Sequence, residues 1–374
     1  MSELINSRDT RATIRWKLLT GASALALTAY VSSGGVTKAE DAARPILWFE
    51  LGGQFDVLTA PAEIWTPANL PPVIDHPVTG ILSQKPRIGY DMNGAVTFQP
   101  EGSDWSLSAA IQFGKAKRGP RFAHDQTYQT KVCLGNYHCL TTYAFTSLHS
   151  VEETKHLILD FQAGKDVGLG LFGHHGDSTV KIGARYAQFR ERADGMMTAA
   201  TGVPKKYNGP YTGYFLNAYM HSQRSFTGIG PSIAWNGSVP IAGSLEDGLA
   251  FDWGANAALL FGRQRTKVRT HTEDKEADGH ITIYTPSHLA YFYSPQFADK
   301  SNVPHTFVRN KRVTVPNLGG FAGLSYRLGG EAKIAIGYKA DFFFGAIDGG
   351  IDTAKKENRG FYGPFASISI GIGD

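Results

Sequence analysis

The stretch DGLAFDWGANAALLFGRQR, residues 247–265, decides how the rest of the chain is read. Leu249, Phe251, Trp253, Ala255, Ala257, Leu259 and Phe261 share one parity; Asp252, Gly254, Asn256 and Gly262 share the other. No helical spacing accompanies them. Strict alternation of this kind marks a strand whose two faces meet different surroundings.

The pattern recurs along the chain. In FYGPFASISIGI (361–372), Ala366, Ile368, Ile370 and Ile372 oppose Ser367, Ser369 and Gly371. In SDWSLSAAIQFG (103–114), Trp105, Leu107, Ala109, Ile111 and Phe113 oppose Ser106, Ser108, Ala110 and Gln112. In EAKIAIGYKADFFFG (331–345), Ile334, Ile336, Tyr338, Phe342 and Phe344 oppose Lys333, Gly337, Lys339 and Asp341. Ten such runs fall near 46–56, 87–98, 104–115, 155–171, 179–191, 226–242, 248–263, 313–328, 331–346 and 358–373.

The connections alternate as regularly as the side chains. Gln99–Asp104, Gly173–Ser178, Gly243–Gly248 and Gly329–Glu331 are tight, whereas 57–86, 116–154, 192–225 and 264–312 are long, with a shorter one at 347–357. Short turns on one side and long loops on the other are the signature of an up-and-down barrel in an outer membrane. An even strand count places both chain ends on the short-turn side.

Composition agrees with sheet and turns: 43 glycines and 12% aromatics accompany only 19% charged residues in a chain of 374. Near the N-terminus, Arg8, Arg11, Arg15 and Lys17 precede the apolar run Leu18–Val31, and Thr37–Ala39 ends on a small residue. This reads as a signal peptide over residues 1–39, removed on export through the Sec pathway, with 40–374 forming one barrel domain. Fourteen residues containing Thr, Ser and Gly are short for a span of roughly 20. The segment carries five basic and two acidic residues, so the formal +4 of the whole chain falls to about +1 without it. That balance gives no support for a nucleic-acid partner.

Alternation alone does not separate a membrane barrel from a soluble sandwich, which turns its apolar face to a second sheet. Three features favour the membrane. The signal peptide delivers the chain to the right compartment. Runs of 12–17 residues exceed the usual globular strand of about 5–6. Aromatics gather near run ends, among them Trp48, Phe49, Phe113, Phe172, Phe226, Trp235, Phe261, Tyr326, Phe361 and Tyr362, where interfacial girdles sit. Two residues sit awkwardly. Pro231 lacks the N–H that a closed sheet needs and predicts a bulge or local break. Lys165 falls on the apolar parity, which requires either a bulge or a position where its stem can snorkel.

The runs FQAGKDVGLGLFG, VKIGARYAQF, SFTGIGPSIAWNGSVPIAG, FDWGANAALLFGRQ and GGFAGLSYRLGGEAKIAIGYKADFFFGAIDGG resemble the Legionella-type major outer membrane protein family of pore-forming barrels. The resemblance covers roughly 155–373, with weaker likeness at 46–56 and 87–115. It implies an outer-membrane barrel with a porin-like role and carries over no catalytic residue. The chain departs from many such barrels in ending IGIGD rather than on an aromatic.

The lumen parity collects Glu50, Gln54, Asp56, Asp91, Asn93, Asp160, Gln162, Asp166, Lys181, Arg185, Asp252, Asn256, Lys333, Lys339 and Asp341. Opposed acidic and basic walls would set a transverse field that tunes ion selectivity; an internal ion-pair network that plugs the barrel is the other reading. Cys133 and Cys139 frame CLGNYHC and predict a disulfide after export, with His138 a solvated neighbour. His174, His175 and Asp177 in GHHGDS lack a complete coordination shell and read as a polar turn. His149–Ser150 and His221–Ser222 are sequence neighbours in long loops, which does not supply the geometry a lipid hydrolase needs. The charged stretches Arg265–His280 and Phe297–Arg312 read as solvated loops, with docking to lipopolysaccharide phosphates as the functional alternative.

The expectation is therefore an all-β, transmembrane, antiparallel up-and-down barrel of about ten strands (about 8–12) in a Gram-negative outer membrane. Its expected function is passive diffusion of ions or small solutes through a polar lumen, with no enzyme activity, catalytic residue, metal or cofactor. The alternatives are a closed structural or adhesin barrel working through its loops and, last, a lipid hydrolase. Outer-membrane lipids and lipopolysaccharide are the expected surroundings, and a homo-oligomer is compatible with the sequence without being required by it.

Overall fold

Alternating side chains become a wall only when every backbone N–H and C=O finds a neighbour, and closing a sheet on itself leaves no free edge. The computed structural model of the protein describes residues 46–59, 63–65, 80–82, 87–100, 105–134, 138–167, 177–201, 209–243, 247–281, 296–328, 331–351 and 353–372. The predicted signal peptide and its cut lie outside the described residues. Among the described residues there are twelve strands: β1 (Ile46–Thr59), β2 (Glu63–Trp65), β3 (Gly80–Leu82), β4 (Arg87–Gln99), β5 (Trp105–Leu134) and β6 (His138–Asp166) come first. They are followed by β7 (Asp177–Thr201), β8 (Gly209–Gly243), β9 (Gly248–Ile281), β10 (Gln296–Leu328), β11 (Ala332–Asp348) and β12 (Lys356–Ile372).

Ten of them close into an antiparallel barrel, in which β1 pairs with β4 on one side and β12 on the other; β2 and β3 form a separate two-stranded sheet. The strands are staggered. Partners traced around the wall from Leu47 through Phe98, Leu107, Ala163, Ile182, Ile233, Ala257, Leu318, Phe342 and Gly360 return to β1 at Thr59, not at the start. Such a shear obliges the strands to tilt against the barrel axis.

The outward parity is apolar over a broad band. Leu51, Phe55 and Ile88 are 68%, 71% and 75% exposed, and Phe161, Ile182, Ile229, Phe261, Leu318 and Ile336 continue the band around the wall. The opening stretch is placed as read: its apolar residues look out, and Asp252, Gly254 and Asn256 look in.

Several expectations are corrected. The connections at 116–154, 192–225 and 264–312 are mostly strand, because β5 to β10 run on for 25 to 35 residues. The charged stretches Arg265–His280 and Phe297–Arg312 thus belong to β9 and β10, not to loops. Beyond the apolar band the same outward parity carries Arg263, Arg265, Lys267 and Arg269, a surface suited to water. At Pro231 the β8–β9 ladder skips from Ile229–Phe261 to Ser232–Ala258 without changing register, so Pro231 breaks the ladder and makes no bulge. Lys165 sits opposite Trp105 with the register intact, its Nζ 5.7 Å from the ring centroid. That stem lies along the wall beside an aromatic, as snorkelling predicts.

The largest correction concerns the interior. Phe189, Phe226, Leu260, Phe343 and Phe361 point inward and are at most 1% exposed. Phe226 and Phe361 therefore belong to an internal aromatic layer rather than to an interfacial girdle, and Trp48 also lies on the inward parity.

Candidate functional site

On the short-turn side of the aromatic layer, the inward residues of β1, β4, β5, β9 and β11 leave a cavity of about 220 Å³. Glu50, Asp91, Asp252, Lys333 and Lys339, all expected in the lumen, line it together with Gln54, Asn93 and Gln112. Opposite charges here are largely joined rather than held apart. Lys333 pairs with Asp252, which also accepts from Ser238 Oγ at 2.7 Å. Lys339 Nζ donates to Gln112 Oε1 at 2.6 Å and lies 3.6 Å from Asp341.

The remaining predicted residues meet around Arg185. Its Nε and Nη2 donate to the two oxygens of Asp160 at 2.7 and 2.9 Å, and Nη1 donates to Asn256 at 2.8 Å and also to Asn317. Asp341 lies 3.8 Å away. One guanidinium on β7 therefore reaches β6, β9, β10 and β11. A planar fork with five donors suits this convergence, where an ammonium would not span it. Lys181 also faces inward, with Glu50 and Asp160 as charged neighbours, whereas Asp166 ends β6 exposed. In this part of the barrel the internal ion-pair network is realised.

The aromatic layer closes the next level. Phe189 meets Phe343 edge-on at 4.7 Å and stacks near Phe226 and Phe361 at 5.8 and 5.6 Å. Aromatic faces and edges pack well at these separations, and the layer is dry.

Above it the β11–β12 connection folds into the lumen. The turn inward begins at Gly345, whose φ of +65° is a left-handed conformation that glycine adopts without strain. The β11–β12 register shifts there, between Phe343 and Ile347. Ala346, Ile347, Asp348, Gly349 and Gly350 are consequently buried. Wall side chains then clamp the segment. Gln264 donates to Gly345 O at 2.6 Å, Thr266 to Asp348 O at 3.2 Å and Arg224 to Gly349 O at 2.9 Å. Arg309 Nε donates to Asp348 at 2.8 Å, and its Nη1 to Ile351 O at 2.5 Å. The Arg359–Glu191 pair is buried beside this clamp, with Glu357 3.7 Å from Arg359.

A group the sequence did not assemble lies between the cavity and the aromatic layer. Asp56 of β1, Asp91 of β4 and His156 of β6 bring one donor atom each to within 4.8 Å of one another. His156 Nε2 is 2.9 Å from Asp91 Oδ2, which also accepts from Gln112 at 2.7 Å. Asp56 is 1% exposed, and apart from the carboxyl of Asp91 its carboxylate oxygens have no hydrogen-bond partner. Gly114 makes the packing possible, because a Cβ there would overlap the Asp91 carboxylate. Asp56 and Asp91 were legible on the lumen parity. His156 shares that parity, and its link to them is a matter of register, since Asp91 is opposite Gly114 and Gly114 opposite His156.

Of the hydrolase candidates, His221 and Ser222 do not converge. His221 faces outward and bonds Asp194 and, at 3.0 Å, Gln223, while Ser222 faces inward and is fully buried. Both His–Ser pairs stand on strands rather than loops, and the side chains of His149 and Ser150 lie outside the described residues. His174 and His175 also lie outside them. The backbones of Cys133 and Cys139 are directly opposite across β5 and β6; their side chains are likewise outside the described residues.

No family model and no curated protein matches the chain. Among solved structures it is similar to the translocator domain of the autotransporter NalP from Neisseria meningitidis, at 9% identity, 96% coverage of each chain and a TM-score of 0.25. A TodX deltaS2S3 mutant monoaromatic hydrocarbon channel is 7% identical over 88% of this chain and 90% of that one, with a TM-score of 0.22. The transport unit of the autotransporter AIDA-I from Escherichia coli is 5% identical over 94% and 97%, with a TM-score of 0.22. At such values the fold rests on this chain's own hydrogen-bond ladders and not on the likeness.

Proposed function

We propose that the chain is an outer-membrane channel for ions or small solutes that rests closed. Its membrane-facing band, its charged outer halves suited to lipopolysaccharide, and the resemblance of its strands to the Legionella-type major outer membrane proteins all support this setting. One observation carries the closed state: the β11–β12 connection occupies the lumen and is held by polar side chains from β8, β9 and β10. Ala346 and Ile347 root the segment in the apolar layer, while the part beyond them is held by polar clamps that exchange for water at modest net cost, so that part of the obstacle is movable. Opening requires the aromatic layer beneath the connection to part as well, and Phe343, just before Gly345 on β11, links the two. The short-turn cavity, the vestibule, then meets the outer side, and its charges select among solutes.

Planar-bilayer recording of the refolded protein tests the reading. The wild type gives rare, small steps. Replacing both clamps, Arg224→Gln with Arg309→Gln, makes openings frequent, and adding Lys339→Glu shifts selectivity toward cations. A second reading, a closed structural or adhesin barrel, is favoured by the dry aromatic layer. Silence from the double variant, with its barrel shown intact by heat-modifiable gel mobility, would establish it instead.

A further inference from the structure

We propose that Asp56, Asp91 and His156 form a divalent-metal site at the inner end of the vestibule, suited to a first-row ion such as Zn²⁺ or Mn²⁺. The inference does not depend on whether the barrel conducts.

Three strands deliver two carboxylates and one imidazole, with donor atoms within 4.8 Å of one another. An ion with metal–ligand bonds of roughly 2.0–2.2 Å spans donors up to about 4.4 Å apart, so small rotations of the carboxylates would close this set on one ion. All three residues are buried, at 1%, 3% and 5% exposure. Apart from each other, both oxygens of Asp56 and Oδ1 of Asp91 have no hydrogen-bond partner. Carboxylates taken out of water without donors are unfavourable, and two side by side repel, so the site calls for a positive centre. The ammonium on the adjoining wall, Lys339, is directed at Gln112 and Asp341.

The imidazole is already oriented. His156 packs on Phe361 with ring centroids 4.1 Å apart, and fixed second contacts of this kind set the aim of a ligand ring. Gln112 donates to the same Asp91 oxygen, Oδ2, that His156 Nε2 meets, which fixes that carboxylate and leaves Oδ1 turned toward the site. Asp91 lines the 220 Å³ cavity, which gives an ion a route from the short-turn side. The donor set points to the ion class. Mixed nitrogen and oxygen donors suit Zn²⁺ or Mn²⁺, whereas Ca²⁺ takes six to eight oxygens and copper(I) prefers thiolates or thioethers.

A proton shared between the two carboxylates would meet the same electrostatic need, and the experiment separates the two. Refolded full-length protein is stripped with EDTA, reloaded with ZnCl₂ or MnCl₂, dialysed, and analysed by mass spectrometry for metal and by calorimetry for affinity. The wild type is expected to retain a single equivalent and to unfold at higher temperature when loaded. Asp56→Asn and His156→Gln should each weaken binding by roughly a hundredfold or more. His221→Gln, which alters a histidine on the outer face beside Asp194, should not. Two results would overturn the site: metal retention unchanged in Asp56→Asn, or a folded wild type with no metal above background. The latter leaves a shared proton as the explanation.

Discussion

Arg185 ties more of the wall together than its size implies. Its bonds to Asp160, Asn256 and Asn317, with Asp341 at 3.8 Å, link four strands through one buried group. Removing the charge takes the bidentate partner from Asp160 and leaves Asp341 only Lys339 at 3.6 Å in a poorly hydrated interior, so Arg185→Leu should lower unfolding stability by about 3 kcal/mol. Arg185→Lys should lose less, keeping the charge but not the fork. Denaturant unfolding in lipid vesicles measures both, and a neutral Arg185→Leu would mean that the network contributes nothing. On the water-facing part of the outer wall, above the apolar band, Glu153 stands 2.7 Å from Lys155 and 3.0 Å from Lys115. Hydrogen bonds from Lys155 and then Lys115 hold its carboxyl down to about 2. A depressed folded value means that the stabilisation is complete above the ordinary glutamate range and is lost as pH falls toward 2. Glu153→Gln should therefore cost less than about 1 kcal/mol at neutral pH, because the pair is partly solvated. The gap from wild type should close only in strong acid, as thermal melts between pH 2 and 7 would record.

A single glycine decides where β11 stops being wall. Gly345 has a φ of +65°, and a Cβ added there would find ordinary spacing to Lys356, so space is not the constraint. Gly345→Ala should cost about 1–2 kcal/mol for the left-handed backbone alone. It should also bias the following segment out of the lumen, seen as faster protease cleavage between Ala346 and Ile351, while Gly345→Asn should behave nearly as the parent. Equal cleavage rates would show that the clamp, and not the turn, sets the path. At this scale the sequence is informative where one face meets lipid and the other does not. The short-turn end of each of the ten wall strands, to within about five residues, and the inward placement of Glu50, Asp252 and Lys333 were readable for that reason, whereas β6, β8 and β10 begin well before the runs near 155, 226 and 313. Past the apolar band the alternation in hydrophobicity fades, since Arg263, Arg265, Lys267 and Arg269 of β9 face water, and those strand halves read as loops. Phe189 and Phe343 were unreadable for the opposite reason: an apolar residue on the lumen parity gives no sign that several like it meet across the barrel. His156 needed the register between β4, β5 and β6, which periodicity does not contain.

The whole molecule is turned inside out relative to a soluble sandwich, and its two faces should respond to charge in opposite ways. Ile336 looks outward, 59% exposed, with Leu324 and Ala366 as its neighbours on the two flanking strands. If that band contacts acyl chains, Ile336→Arg places a guanidinium near the middle of the hydrocarbon, where such substitutions cost about 2–4 kcal/mol. Ser369 is on the inward face, lines the vestibule and stands opposite Lys333. Ser369→Glu puts a carboxylate between Lys333 and, on β1, Glu50, so attraction and repulsion offset in a wet cavity and stability should change by less than about 1 kcal/mol in either direction. Equilibrium unfolding of both variants in phosphatidylcholine vesicles gives the comparison directly. Thicker bilayers should penalise Ile336→Arg further, because the guanidinium then lies farther from the headgroups it must reach. A tolerated arginine at 336 combined with a damaging glutamate at 369 would invert the assignment of faces, and with it the membrane setting on which the channel depends.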